Sequence, residues 1–394
     1  MRKMPLNLMI LTSYFAIEPK NIRGGIGYRF VGLYGSLIKT LLRHWPESKV
    51  FWYSKVDCCL RVIDQSRVEC QRLGMLKAVL KAASDSFKSG ARLAVIIGYP
   101  YAIPGIRRLS EYIFGLLILK FLSVGHVRVI VDYFDPPVEG AFAFSEAGPS
   151  IRSIIYLRML DLVTLRLSSI VIALSEFWRH YIARTYHISR DKILVVPNGT
   201  LVRHIRYNPP KAKGSLTVLY AGSALKVKSI DKLIQVVAML KEKGLSIDLR
   251  IAGAKEMNLP EWVNVGAYNW PDFIANVLCT SDVCVIPYPP ARMAFYYSLP
   301  AKLFDYMAAG KPIISTNLKD VGAIVKKFDC GLVANEWKEF ELHLERLYHD
   351  RELAKKLGKN GRVAAEKNFN YELLGEGLFA KLVKMFEGSI NGER

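Results

Sequence analysis

The stretch SLPAKLFDYMAAGKPIIST, residues 298–316, sets a helix against a strand with little between them. Pro300 suits the first turn of a helix, where its missing N–H costs nothing. Gly310 suits the helix end, and Lys311-Pro312 opens the next strand. On a helix over 301–309, Leu303, Tyr306 and Met307 share an inward stripe, whereas Asp305 lies off it, near the end expected to hang over a cleft. The helix start, Leu299 to Lys302, offers N–H groups, a positive dipole end and a cation, a combination that attracts phosphate. An acid beside an anion site can accept hydrogen bonds from sugar hydroxyls. A solvated acid and a surface lysine account for the same residues equally well.

That helix–strand unit belongs to a longer alternation. LNLMILTSY, KVFWYSK, RLAVIIGYP, VRVIVDYF, SIVIALS and KILVVPNG are strand candidates in the first half, with helical stretches at 28–43 and 151–166 between them. Near-continuous Val/Ile/Leu strands separated by helices predict a parallel sheet covered on both faces. VRHIRYNPPKAKGS (202–215) interrupts the pattern with a polar, basic, proline-paired linker. The alternation restarts with LTVLYAGS, IDLRIAG, VNVGAY, DVCVIPY, KPIIST and CGLVAN. Two doubly wound α/β domains in series follow, with ligands expected beyond the carboxyl ends of the strands in a cleft between them.

Composition agrees. A chain of 394 residues with 51% hydrophobic and 23% charged residues is folded and too long for one ordinary core. No window approaches a membrane span; YIFGLLILKFL (112–122) comes nearest, and Lys120 interrupts it. The start, MRKMPLNLMILTSYF, lacks a small-residue cleavage site and reads as a first buried strand, so a cytoplasmic protein is expected. The six cysteines show no CxxC pair or metal spacing and are expected to be reduced, structural residues. The net charge of +20 is uneven: residues 1–128 hold 20 Lys/Arg against 7 Asp/Glu, an excess of +13 (20 − 7). Nucleic acid, an anionic membrane face, an anionic substrate or a plain solvated surface would each suit that excess. No dedicated nucleic-acid signature supports the first.

Three loops carry candidate chemistry. In LYAGSALKVKSIDKLIQV (219–236) a strand runs into small residues, then a loop in which Lys226 or Lys228 could meet phosphates, then a helix from about Ser229. An ordinary βα turn would look the same. NIRGGIGYR (21–29) holds G-G-x-G (Gly24, Gly25, Gly27) without the acid that a dinucleotide fingerprint requires, which disfavours a nicotinamide-dependent dehydrogenase. A tight loop facing the cleft is the better reading. In VDYFDPPVEG (131–140), Asp135 follows a strand end and either points into the cleft or serves the turn before Pro136-Pro137.

The order of these segments, with IALSEFWRHYI, VVPNGT and LGKNGRVAAEKNF, resembles family 4 glycosyltransferases over nearly the whole chain, most closely over 170–369. The resemblance implies a GT-B fold of two Rossmann-like domains. These would be 1–200 on the acceptor side and 215–370 for the nucleotide-sugar, joined by a 201–214 linker, with a helix within 371–394 packing back toward the first domain. It implies a nucleotide-sugar donor as substrate, no separate cofactor, no catalytic metal and retained anomeric configuration. Of the family's E-x7-E motif this chain keeps the second acid as Asp305, expected on the ribose, and has Tyr297 for the first. Of G-R-x4-K-G it keeps Gly222 and Lys228, with Ser223 and Ser229 at the other positions. Lys228 is then expected to stabilise the departing diphosphate, helped by Lys226, Arg292 or Lys302. Gly222, Ser223, Leu299 and Pro300 would line the donor site. Gly24, Gly25 and Gly27 would border sugar and acceptor, as would Asp135, the candidate catalytic acid or base of the first domain. The acceptor expected is a saccharide or a lipid-linked glycan, with no nucleic acid and with peripheral contact to an anionic membrane. A nucleotide-sugar-binding subunit without activity is the rival, motivated by Ser223 and Tyr297.

Overall fold

The computed structural model describes residues 5–13, 15–16, 18, 29–99, 109–121, 126–134, 136–145, 148–222, 226–253 and 259–388. Every strand expected from the sequence forms. The first sheet contains β1 (Leu6–Thr12), β2 (Val50–Ser54), β3 (Cys59–Ile63), β4 (Val68–Arg72), β5 (Arg92–Tyr99), β6 (Val127–Tyr133), β7 (Ile170–Ala173) and β8 (Ile193–Val195). Their order is β4-β3-β2-β1-β5-β6-β7-β8. β1 and β5 are buried along their whole length, as strands covered on both faces must be.

The β3–β4 hairpin corrects the expectation of a wholly parallel sheet, because β3 pairs antiparallel with both β2 and β4. Its residues form no apolar run, and β4 is exposed throughout, so burial could not reveal it in the sequence. The turn signal was Asp64, whose Oδ1 accepts from the N–H of Ser66 (2.8 Å) and Arg67 (3.0 Å). The hairpin also brings Cys59 and Cys70 together, Cα atoms 6.3 Å apart, as a disulfide, which corrects the reading of these two as free thiols. Cys279, Cys284 and Cys330 are buried thiols.

The second sheet is wholly parallel: β9 (Leu216–Ala221), β10 (Ile247–Ala252), β11 (Asn264–Gly266), β12 (Val283–Ile286), β13 (Ile313–Thr316) and β14 (Gly331–Ala334), ordered β11-β10-β9-β12-β13-β14. Successive connections leave the central pair β9/β12 in opposite directions, which opens a crevice at their carboxyl ends. The same reversal occurs at β1/β5 in the first sheet.

The helices that matter for the site and its support are α1 (Gly35–His44), α2 (Met75–Lys88), α3 (Leu109–Phe121), α4 (Pro137–Phe144), α5 (Ile151–Leu167), α6 (Glu176–Tyr186), α7 (Ile230–Glu242), α8 (Met293–Tyr296), α9 (Ala301–Ala309), α10 (Lys319–Lys327), α11 (Trp337–His349), α12 (Arg351–Asn368) and α13 (Tyr371–Gly388). A π-turn, Phe30–Tyr34, leads into α1.

The chain crosses between the domains twice, side by side. Thr200 bridges Asn370, with Thr200 N–H donating to Phe369 O (2.8 Å) and Tyr371 N–H donating to Thr200 O (3.1 Å). From there α13 packs on α1, close enough that a Cβ on Gly375 would sit 2.6 Å from the Ser36 Cβ. The segment between the domains is packed as well: Leu201, Val202 and Ile205 are buried, and Asn208 N–H donates to Ala309 O. One apolar cluster runs from the inner face of the first sheet, past Tyr371, Leu378 and Phe386 of α13, into the second domain.

Candidate active site

The crevice at β9/β12 is built by the inward stripe of α9. Leu303, Tyr306 and Met307 are fully buried, and the Tyr306 hydroxyl accepts from Ala221 N–H (2.9 Å) at the last residue of β9. That bond sets where the strand turns. Gly222 follows with φ +139°, a conformation that side chains rarely adopt, and a Cβ there would lie 2.4 Å from Lys302 Nζ. The glycine therefore leaves room for a cation.

Two cations meet here. Lys302, in the first turn of α9, holds its Nζ 4.4 Å from the Tyr220 ring centroid and 5.2 Å from that of Tyr288. Lys228 is only 8% exposed; its Nζ lies 5.7 Å from the ring centroid of the same Tyr288 and 5.4 Å from that of Phe144. Burial pulls Lys228 down to about 8. Burial and the Lys228 charge together pull Lys302 well below the ordinary lysine value. The Tyr220 and Tyr288 phenols are pushed upward by burial, so both rings stay neutral. Both ammonium groups thus sit close together in a poorly hydrated, partly aromatic setting. Ser223 lies outside the described residues, and Lys226 begins the 3-10 turn Lys226–Lys228. Ser229 takes the left-handed conformation (φ 57°, ψ 35°), which gives a physical reason for the glycine of the family pattern at this position.

Leu299 and Pro300 stand where the domains touch. Asn198 Nδ2 donates to Leu299 O (2.8 Å), and Pro300 is the extended cap of α9. Two expectations are corrected here. Asp305 does not hang over the cleft: it is fully buried, and Thr200 Oγ1 donates to its Oδ1 (2.5 Å). The face of α9 opposite the stripe is covered by the inter-domain crossing, so the helix is buried on both sides. Arg292 is not turned to the crevice as a spare cation: its Nη1 donates to Phe142 O (3.0 Å), Ala143 O (2.7 Å) and Ser145 O (3.1 Å) at the carboxyl end of α4. A cation there complements the helix dipole. Tyr297, at the position of the missing first acid, stacks on Phe177, and its carbonyl accepts from Trp178 Nε1 (2.9 Å).

On the first domain's side, Gly24, Gly25, Gly27 and Asp135 lie outside the described residues. A buried pair close to them in sequence, Arg29 and Asp132, was not singled out by the motifs. Arg29, 1% exposed, donates from Nε to Asp132 Oδ2 (2.6 Å) and from Nη2 to Asp132 Oδ1 (2.7 Å). Tyr34 donates to the same carboxylate (2.7 Å), and the guanidinium also reaches Asn198 Oδ1 (3.2 Å). Burial, the largest single influence, lowers the arginine; the Asp132 charge and hydrogen bonds, with Tyr371 and Tyr34, together outweigh it and raise the group above its ordinary value. A signal was available: Arg29 ends the glycine motif, and Asp132 directly follows the apolar run Val129–Val131 of β6. A second acid, Asp161, is buried under the Tyr99, Tyr133 and Tyr186 hydroxyls, and burial moves it up to about 6.

Fold and crevice define the class: a GT-B protein whose second domain brings two lysines together at the crevice. Residues 203–364 match the family described as "Glycosyl transferases group 1". A Staphylococcus aureus relative, the capsular polysaccharide biosynthesis glycosyltransferase CapM, is 21% identical over 248 residues, 56% of this chain and 63% of the relative. The match thus spans under two thirds of that relative's length. Among solved structures, sucrose-phosphate synthase from Thermosynechococcus elongatus superposes with a TM-score of 0.68 at 16% identity, covering 98% of this chain and 100% of the other. The catalytic domain of starch synthase IV from Arabidopsis thaliana, bound to ADP and acarbose, gives 0.61 at 13% identity, covering 97% and 99%. Both share the GT-B fold. Among the described residues no helix is long and apolar enough to cross a membrane.

Proposed function

We propose that the protein is a glycosyltransferase that moves a sugar from a nucleotide-sugar donor to a saccharide or lipid-linked acceptor. The observation that carries this is the Lys228–Lys302 pair over Tyr220, Tyr288 and Phe144 at the β9/β12 crevice. As the bond from sugar to diphosphate breaks, negative charge grows on the phosphate. Two preplaced, poorly hydrated ammonium groups favour that state over the ground state. Cation charge from lysines does here the work that a divalent ion does elsewhere, so transfer is expected without metal and, as in the resembling family, with retention. Asp305 lies one helix turn from Lys302; in this reading it receives the ribose hydroxyls once Thr200 yields, and Arg292, held on the carbonyls of α4, takes no part in binding the phosphate. Peripheral contact with a membrane belongs to the same reading.

The test is calorimetry and thermal shift with UDP, GDP, ADP and inorganic pyrophosphate, followed by release of nucleoside diphosphate from a panel of nucleotide-sugars. Binding of at least one nucleotide, abolished in Lys228→Ala/Lys302→Ala, is expected. No binding by any of them overturns the reading. Activity that persists in EDTA supports metal independence, and anomeric configuration of the product, read by NMR, decides retention.

A further inference from the structure

We infer that the outer surface of α2, α3 and α5 is a docking face for a bilayer that carries anionic lipids. The inference rests on the reading above only in taking the acceptor to be lipid-carried. Helix α3 is apolar nearly all round. Tyr112, Leu116 and Leu119 face the sheet and are buried, but Phe114, Leu117 and Phe121 point outward at 56%, 37% and 80% exposure. Their i, i+3, i+7 spacing makes a stripe. Helix α5 presents a second stripe at i, i+4, i+8: Ile151 (75%), Ile155 (59%) and Met159 (57%). Helix α2 adds Leu80 (43%) and Phe87 (77%), seven residues apart.

The stripes adjoin, because α3 packs against both α2 and α5. A Cβ on Gly115 of α3 would already touch Leu76 of α2. Isolated exposed apolar residues are ordinary on a soluble protein, but eight on three neighbouring helices form a face that calls for a cover. Exposed Lys77 and Lys88 on α2, Lys120 on α3 and Arg152 on α5 accompany it. Against these four cations the three helices carry three acids, of which Asp85 is paired with Lys81, Asp161 is buried and Glu111 stands in the first turn of α3. Apolar stripes lying flat with cations alongside match the acyl boundary and the headgroups of an anionic leaflet. A second copy of the chain would instead bring like charges together, since residues 1–128 carry an excess of +13 (20 − 7).

The face also leads to the crevice. Helix α4 packs beside α5, exposes Phe142 at 50% and Phe144 at 51%, and ends with Phe144 against Lys228. A lipid-carried acceptor could keep its chain in the bilayer and bring its headgroup along α4 to the lysines.

Flotation with phosphatidylglycerol/phosphatidylcholine vesicles tests this, with pure phosphatidylcholine and high salt as further arms. Binding to the anionic vesicles at low salt is expected, about tenfold weaker or more in the other two arms. Phe114→Ser/Phe121→Ser and, separately, Ile151→Ser/Ile155→Ser should each lower binding by a similar factor while keeping the wild-type Tm, because these side chains already face solvent. Absence of wild-type flotation overturns the inference. So does variant binding equal to wild type, or a dimer in sedimentation that these variants dissociate. Nucleotide binding, measured in the same preparations without vesicles, stands or falls independently: its loss with flotation intact sinks the transferase reading and spares the docking face.

Discussion

At neutral pH Lys228 holds a charge that its surroundings disfavour, and two opposite consequences follow. Its folded-state value of about 8 lies below the 10.5 of an exposed lysine, so between these pH values the unfolded chain binds more protons than the native one. Stability therefore rises as pH climbs from about 8 to about 10.5, and at pH 7 the residue is a net cost. Lys228→Met should raise the stability of the ligand-free protein at pH 7 by roughly 1–3 kcal/mol in urea unfolding, and the gain should shrink towards pH 10. The same change should remove most nucleoside-diphosphate binding in calorimetry. Wild-type affinity for that ligand should itself fall above pH 8, as the ammonium is lost. Asp305 behaves differently: its carboxylate supports the inter-domain crossing through Thr200. Asp305→Ala should cost about 1–3 kcal/mol even without ligand, read as a lower denaturation midpoint. It should also weaken nucleotide-sugar binding, and an unchanged affinity in the folded variant would take Asp305 out of the donor site.

The loop between β9 and α7 carries a local conflict, since Ser229 occupies a left-handed conformation that glycine adopts without strain. Ser229→Gly should stabilise the protein by roughly 0.5–1 kcal/mol in thermal unfolding and leave nucleotide affinity intact. At the start of α1, the Arg29–Asp132 pair ties that element to the end of β6. Asp132→Asn leaves the guanidinium buried without its counter-charge, and a loss of about 3–5 kcal/mol is expected in chemical denaturation. This scale also shows what sequence could and could not reveal. Period and punctuation disclosed the strands and the stop of α9 at Gly310, because burial on both faces demands apolar runs and a left-handed cap demands glycine. The lysine pair was half visible: Lys228 and Lys302 were each candidates, but their meeting over Tyr288 depends on two elements 74 positions apart in sequence (302 − 228). Asp305 was assigned to the cleft because one helix face was judged alone, and Arg292 because a substitute was sought for the arginine that the family pattern carries where this chain has Ser223. What covers the other face comes from distant chain, Thr200 for one and α4 for the other.

At the scale of the whole molecule, two Rossmann-like domains share one continuous core through α13, and the two crossings lie against each other at Thr200 and Asn370. The first domain's inner layer is completed by a helix drawn from residues 371–388. During synthesis that helix emerges only after the second domain. Residues 1–200 must therefore wait on the ribosome, with the α1 surface around Ser36 uncovered, while the entire second domain is translated. An apolar face held open for that interval is a natural target for a holdase. Yield of soluble protein should accordingly depend on chaperone supply far more than the stability of the finished fold would suggest.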